Sequence, residues 1–565
     1  MTLSPGYQIS PVEAIKSLII ITSQSEIWIS SFLHFLPFLA WKETMQVLIL
    51  LSSLFLFFFL SLAKLWYKLW WKPHRIQRIL NEQGIRGPPY KFVHGSSKES
   101  FKMITQVRDI PMNNLSHDIF PKIQPEIHTW TNTYGRNYLS WHGTQAQLVI
   151  TEPELIKEVL VNRDKTYPKT PATDFVKKLL GDGLATTNNE EKWAKQRKLA
   201  NHAFHGESLK NMVPMMVDTI HVMLARWKHQ EGKEIDVFED FKLLTCEVIS
   251  KTAFGSSYIE GRNIFQMLTR LGVLLTKNLH HVRFPGLRGI SLGILLSKFW
   301  KTADEIEAEK LQKGIYDAIL GIVKKREEKV KTGEAADVGN DFLGQLVKAS
   351  RGMDNSKKIT IDDLVDECKT FYLAGQETTN ALMTWVVFLL AAHPNWQEKA
   401  RKEVLHVFGN NDPDSDGIAK LKTMSMIINE TLRLYPPVIG MSRQVEQQLR
   451  LGKLLLPTNI HIIIGNLKLH HDPKIWGEDV LLFKPERFAE GIARATNNNP
   501  VVFIPFSFGP RICAGMNFAT HEVKIILSMI LQRYAFKLSP AYVHCPVQVL
   551  TIGPKHGLQV IFQPL

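Results

Sequence analysis

The stretch that most restricts this chain is TMQVLILLSSLFLFFFLSLA, Thr44 to Ala63, twenty uncharged and mostly apolar residues. At 1.5 Å rise per residue it is long enough to cross a hydrocarbon core of about 30 Å. An unbroken Phe/Leu run with no polar face is seldom a buried core helix, so residues 44–63 are expected to span a membrane. Lys64, Lys68, Lys72, Arg75 and Arg78 follow with no acid among them, whereas Lys42 on the other side is offset by Glu43. That asymmetry expects a single pass with everything after residue 64 in the cytoplasm, and Trp66, Trp70 and Trp71 near the interface. The run is too long for a secretory signal and no small-residue cleavage site follows, so the body is expected to stay tethered. Residues 1–43 read as an extension of uncertain status: IWISSFLHFLPFLAW is apolar but carries His34 and Pro37, which makes it marginal as a second span. Met45 is the expected natural start, with the residues before it a gene-model extension.

Residues 64–90 read as a basic, Pro/Gly-rich linker ending in GIRGPPY, where Gly84, Gly87, Pro88 and Pro89 stop helix and central strand alike. Residues 91–565 contain no long linker or repeat and read as one domain. With 45% hydrophobic and 22% charged residues, the chain has material for a large core. Its net charge of +14 comes from Lys and Arg interspersed with acids, which disfavours nucleic acid as a partner. Cys246, Cys368, Cys513 and Cys545 lie far apart without a CxxC pair, against both a disulfide framework and a zinc site. Helical patterns dominate. ITIDDLVDECKTFYLAGQETTNALMTWVVFLLAAH has a cap candidate in Thr360, Asp363 three residues on, and a stop at His393 before Pro394. Strand-like segments, NIHIIIGN and LTIGPKHGLQVIFQ, fall mainly late, so the fold class is mainly α with small β-sheets.

Four constellations carry chemistry. In FSFGPRICAG, Gly509, Pro510 and Gly515 mark a tight turn, Phe506 supplies an apolar wall, and AGMNFATHEVKIILSMILQRYAF follows with helical periodicity. Cys513 is thereby expected at a helix N-terminus, where free N–H groups and the positive dipole end favour a thiolate; a lone buried cysteine is otherwise usually inert. In NETLRLYP, Glu430 and Arg433 share one helix face among apolar neighbours, and FKPERF offers Arg487 as a further partner; taken alone, such a pair is commonly a solvated surface pair. In AGQETT, Glu377 and Thr378 sit beside Gly375 in an apolar helix, and the bland account is Thr back-bonding one turn earlier. In EEKWAKQRK, Trp193 and Arg197 lie four apart, as on any amphipathic helix.

Together these motifs resemble the cytochrome P450 family over roughly residues 84–565, and Phe506, Gly509, Arg511, Cys513 and Gly515 match its Phe-x-x-Gly-x-Arg-x-Cys-x-Gly signature without departure. The wording looks most like plant microsomal members of the non-A-type 72 clan. The resemblance implies the P450 fold behind an N-terminal transmembrane helix, haem b (iron protoporphyrin IX) as cofactor and Cys513 sulfur as the metal ligand. It further implies that Arg511, Trp193, Arg197 and Arg443 face haem propionates, and that Phe506, Gly509 and Gly515 shape the loop. Glu430, Arg433 and Arg487 would form a structural triad with no chemical step. Ala374 and Gly375 would leave room for O2, while Thr378 and Glu377 would handle protons as the catalytic pair.

The implied activity is a monooxygenase that inserts one atom of O2 into a lipophilic molecule, be it a terpenoid, hormone, fatty acid or xenobiotic. Electrons would come from NADPH through NADPH–cytochrome P450 reductase, with cytochrome b5 a further partner, at the endoplasmic reticulum membrane. Two alternatives stand beside it: an O2-independent isomerase or dehydratase, and a non-enzymatic membrane-tethered haem protein. Specificity is expected at TPATDFVKKLLGDGLATT, at VIGM after Pro437 and near the C-terminal hairpin, and no residue there names a molecule.

Overall fold

The computed structural model describes residues 12, 16, 44–162, 166–279, 301–352 and 358–565. The expected upstream extension and marginal second span lie outside the described residues. The chain divides into two compact units, Met1–Lys72 and Pro73–Leu565. From Thr44 the chain is helical as far as Glu82, with a π-helical turn at Tyr67–Trp71. None of its most apolar eighteen-residue window is buried in protein, so Leu48, Phe55 and Phe57 are left facing outward. By length and composition the helix is a candidate membrane span.

Residues 64–82, expected as part of a linker, are helical too. Pro73, Ile76 and Leu80 recur at helical spacing and form one buried stripe, which holds Lys72–Glu82 in helix despite its basic residues. The break comes at Gly84 (φ +83°), and Gly87 then passes the strand at Leu139 so closely that a methyl group there would overlap the Leu139 carbonyl oxygen.

The second unit is mainly helical. Its longest helix, Ile361–Ala392, starts at a capping box: Asp363 N–H donates to Thr360 Oγ1 (3.0 Å) and Thr360 N–H to the Asp363 carboxylate (2.9 Å). It ends at His393 before Pro394, as the sequence expects, and its second half is buried on every side. The helix after the cysteine loop, Met516–Leu531, stops short of the expected QRYAF segment. Tyr534–Leu538 is instead a strand paired antiparallel with Gln559–Pro564, because its alternation buries Tyr534 and Phe536 on one face. A four-stranded sheet runs Tyr138–His142, Gln145–Ile150, Ile460–Gly465, Gly440–Val445. Its first two strands, a hairpin turning at Gly143 (φ +58°), were not among the expected strands. Leu139, Trp141, Leu148, Ile462 and Ile464 alternate onto one face and form a separate apolar cluster beneath it.

The helix Lys422–Leu434 buries a complete ion pair. Arg433 donates to both Glu430 carboxylate oxygens (2.7 and 2.8 Å), and both side chains are fully out of solvent. The remaining guanidinium N–H groups reach the carbonyls of His470 (3.0 Å) and Leu482 (3.3 Å). Arg487 Nε lies 3.4 Å from Glu430 without hydrogen-bond alignment, and its terminal nitrogens bind Asp479 and the Trp476 carbonyl instead. Removing one partner would strand the other charge in the core, so Glu430→Ala should lower stability by about 3–5 kcal/mol, read as a lower midpoint on thermal denaturation.

His117, His470 and His471 are buried in the same region. Burial, aided by Arg433, holds each imidazole down to about 3. His470 Nε2 accepts from Ile504 N–H (3.2 Å), as a neutral ring can. Unfolding lets all three take up protons near pH 6.5, so the unfolded state binds more protons between about pH 3 and 6.5 and stability falls as pH drops through that window. Urea midpoints should decline steadily from pH 7 to pH 5; a flat profile would contradict this account.

Candidate active site

The cysteine loop is clamped at both ends. Cys513 N–H donates to the Phe506 carbonyl (2.9 Å), and Ile512 N–H to that of Gly509 (3.1 Å). Gly509 holds φ +76° and lies against Leu160, whose carbonyl oxygen a methyl group would strike, so only glycine fits. Ser507 also has positive φ (+70°), a strained state held by the surrounding contacts. The loop exposes Cys513 to a cavity of about 1430 Å³, with the surrounding loop and helix still removing much of the bulk water from its sulfur. Burial therefore raises the Cys513 thiol, opposed by the Gly515 N–H and the Arg197 guanidinium. The sequence expectation of a thiolate favoured by the helix N-terminus meets this difference: the helix begins only at Met516, and desolvation outweighs its help.

Cations converge on one side of the cavity. Trp193 and Arg197 project from the helix Glu190–Phe204, and Arg197 donates to the Ile512 carbonyl and to Asn201 Oδ1 (2.9 Å). Arg511 stacks over the Trp193 ring at 4.1 Å and pairs with Glu190 (2.7 Å). Arg443 is buried and donates to the neighbouring Ser442 carbonyl (2.8 Å); among the described residues no carboxylate meets it. Lys169, which the sequence reading missed, joins them by pairing backbone to backbone with Arg443, and its amine donates to the Leu184 and Ala185 carbonyls. Burial, then Arg511 and Arg443, pull the Lys169 amine down to about 7; burial and Arg511 bring Arg443 to about 10. No local sequence signal marks Lys169, because its proximity to Arg443 is made 274 residues along the chain.

The opposite wall is the long helix. Thr378 Oγ1 donates to the Ala374 carbonyl (2.6 Å), the back-bond of the bland reading, and both residues border the cavity. Glu377 is not among the lining residues. It faces Lys242 and Glu239 on the helix Val237–Phe254, and burial raises its carboxyl. Gly375 has a packing reason beyond room for a small molecule: a methyl group there would lie 2.8 Å from Ile249 Cδ1. Two of the three expected specificity segments reach the cavity, through Ala172, Phe175, Val438 and Met441; among the described residues the C-terminal hairpin contributes none.

A mainly helical body that aims a lone cysteine, under a ring of cations, into an internal cavity is built for a metal macrocycle bearing carboxylates. The sequence profile of cytochrome P450 matches residues 112–557. The chain is 55% identical over 517 residues to Cytochrome P450 CYP749A22 of Panax ginseng, covering 91% of this chain and 97% of that protein. It is 43% identical to the 11-oxo-beta-amyrin 30-oxidase of Glycyrrhiza uralensis (88% and 94% covered) and 39% identical to the 7-deoxyloganic acid hydroxylase of Catharanthus roseus (91% and 99%). The chain belongs to the cytochrome P450 family, among plant members of the non-A-type group, and is a haem-thiolate oxidoreductase of the monooxygenase class.

The residues present fit haem. Arg443, Lys169, Arg197 and Arg511 would meet its two carboxylates, and the orphaned charge of Arg443 in particular asks for an anion. Cys513 would be the thiolate ligand, with the Gly515 N–H on its sulfur. Removing the cations least balanced by protein, in the double variant Lys169→Leu/Arg443→Leu, should speed haem transfer to apomyoglobin about tenfold or more. Arg511→Leu should have a smaller effect, since Glu190 already answers that charge.

Proposed function

We propose that this chain is a membrane-anchored monooxygenase that oxidises a lipophilic molecule of the terpenoid class, using electrons that a separate NADPH–cytochrome P450 reductase delivers. The observation that carries the reading is a single cavity lined by Cys513 and Thr378 together with the apolar Ile249, Phe371, Leu382 and Val438. Its about 1430 Å³ exceeds the roughly 300–1,000 Å³ usual for a ligand pocket, leaving room for a macrocycle and a second apolar molecule together. Relatives named for 11-oxo-beta-amyrin and 7-deoxyloganic acid, both terpenoids, support that class. Bound haem supplies the activation of O2. Each turnover takes two electrons and two protons, places one oxygen atom in the substrate and releases the other as water.

The chain's own residues manage the protons and the environment. Thr378 holds its hydroxyl proton against Ala374 and, on turning about χ1, offers it into the cavity. Glu377, next in sequence and kept protonated to a higher pH by burial, would restore that proton only by turning from Lys242 and Glu239 toward the cavity. Apolar walls exclude bulk water from the reacting carbon. The outward-facing helix from Thr44 tethers the body, with the basic segment after residue 64 on the cytoplasmic side of the endoplasmic reticulum membrane. Cytochrome b5 is a second electron donor consistent with that location.

Microsomes holding this protein and the reductase, fed a plant terpenoid extract, should yield a product one oxygen heavier only when NADPH is present. Cys513→Ser should abolish it. Thr378→Ala should lower product formed per NADPH consumed about a hundredfold, the low end of the range for loss of a positioned proton donor. Product formed without NADPH, or by Cys513→Ser, would overturn the proposal.

A further inference from the structure

The cavity has two characters, and the sheet supplies the second. Register pairs Ser140 with Gln147, Gln147 with His461, and His461 with Gln444, so these four stand in one row on the face opposite the apolar cluster. His142, Gln147 and His461 border the cavity. A sheet face against a pocket for a lipophilic molecule is expected to be apolar, and this one is not. Gln145 is pinned, its amide donating to the carbonyls of Asn459 (2.7 Å) and Ala146 (3.2 Å). By contrast, among the described residues no hydrogen bond engages the side chains of His142, Gln147 or His461, and Gln444 Oε1 is buried without a partner.

The polar row leads away from the cysteine side. Arg443, beside Arg511, lies on the edge strand Gly440–Val445, where it pairs with Ile462; the backbone of His461 is one strand further and that of Gln147 two, about 5 and 10 Å at ordinary strand spacing. The row carries no fixed charge. Burial, then His142, holds His461 down to about 4, and burial lowers His142 as well, so both imidazoles are neutral at pH 7, each with one donor and one acceptor. The cations that would suit a carboxylate are on the cysteine side. Gln147 and His461 are therefore matched to an uncharged oxygen, a carbonyl or hydroxyl, that would otherwise enter the cavity without a partner.

We propose that the row Gln147–His461 is a binding subsite for an uncharged carbonyl or hydroxyl group on the substrate, making the preferred substrate an elongated lipid already oxygenated at the end away from the oxidised carbon. The inference rests on the proposed function and deepens it. A site built to hydrogen-bond an oxygen discriminates strongly against the analogue that lacks it, because its own polar groups are then left unpaired.

The probes are 5α-androstane and 5α-androstane-3,17-dione, which share a carbon frame and differ in two carbonyls. Equilibrium dialysis against the haem-loaded full chain in nanodiscs should show the dione bound at least tenfold more tightly. In Gln147→Leu/His461→Leu that preference should fall to twofold or less, through loss of dione affinity with androstane affinity kept or raised. Gln147→Glu, which preserves size but removes the donor, should weaken the dione alone. A preference unchanged in both variants, no preference in the wild type, or failure to bind either probe would overturn the subsite. If NADPH-dependent oxidation of the terpenoid extract persisted beside any of those results, the subsite would fall and the proposed function stand.

Discussion

A guanidinium and a carboxylate sealed from water cannot be left half-satisfied, and the body is arranged around that constraint. Glu430 and Arg433 occupy one helix, yet completing their hydrogen bonds takes the carbonyls of His470 and Leu482 and the N–H of Lys484, which donates to Glu430 at 3.0 Å. The segments so recruited lead toward the cysteine loop: His470 accepts from Ile504, two residues before Phe506, whose carbonyl in turn holds Cys513. Hydrogen bonds and the short backbone stretch Ile504–Phe506 thus connect a buried ion pair to the residue that faces the cavity. Arg487 completes the group differently from a simple triad, giving its best-aligned bonds to Asp479 and Trp476.

Much of this was legible from local pattern. The long helix announced its start through Thr360 and Asp363 and its end through His393 and Pro394, because caps and proline act on nearest neighbours. The strand Ile460–Gly465 was visible in its β-branched run. What stayed hidden depended on distance. Tyr138–Ile150 alternates only in one half, its polar face being turned to a cavity, so no clean apolar period marked it. Lys169 lacks any motif, and the helix through residues 64–82 was masked by basic residues and a proline. Gly375 borders the cavity, but its close contact with Ile249 on another helix leaves no trace in the local pattern.

The cavity therefore has a division of labour. Cations gather where carboxylates and a metal ligand belong, apolar helix faces enclose the centre, and an uncharged polar row extends along the sheet. Burial governs all three. It leaves Arg443 in need of an anion, keeps Glu377 protonated to a higher pH and holds His461 neutral, so one physical cause yields three chemical environments in a continuous space.

The contact between Gly375 and Ile249 has an evolutionary corollary. A methyl group at 375 would lie 2.8 Å from Ile249 Cδ1, so a larger residue there requires the Ile249 side chain to move aside first. Across descendants of this gene a bulkier residue at 375 is eased by a slimmer or re-oriented one at 249, so repertoire at this corner of the enzyme is coupled across two helices.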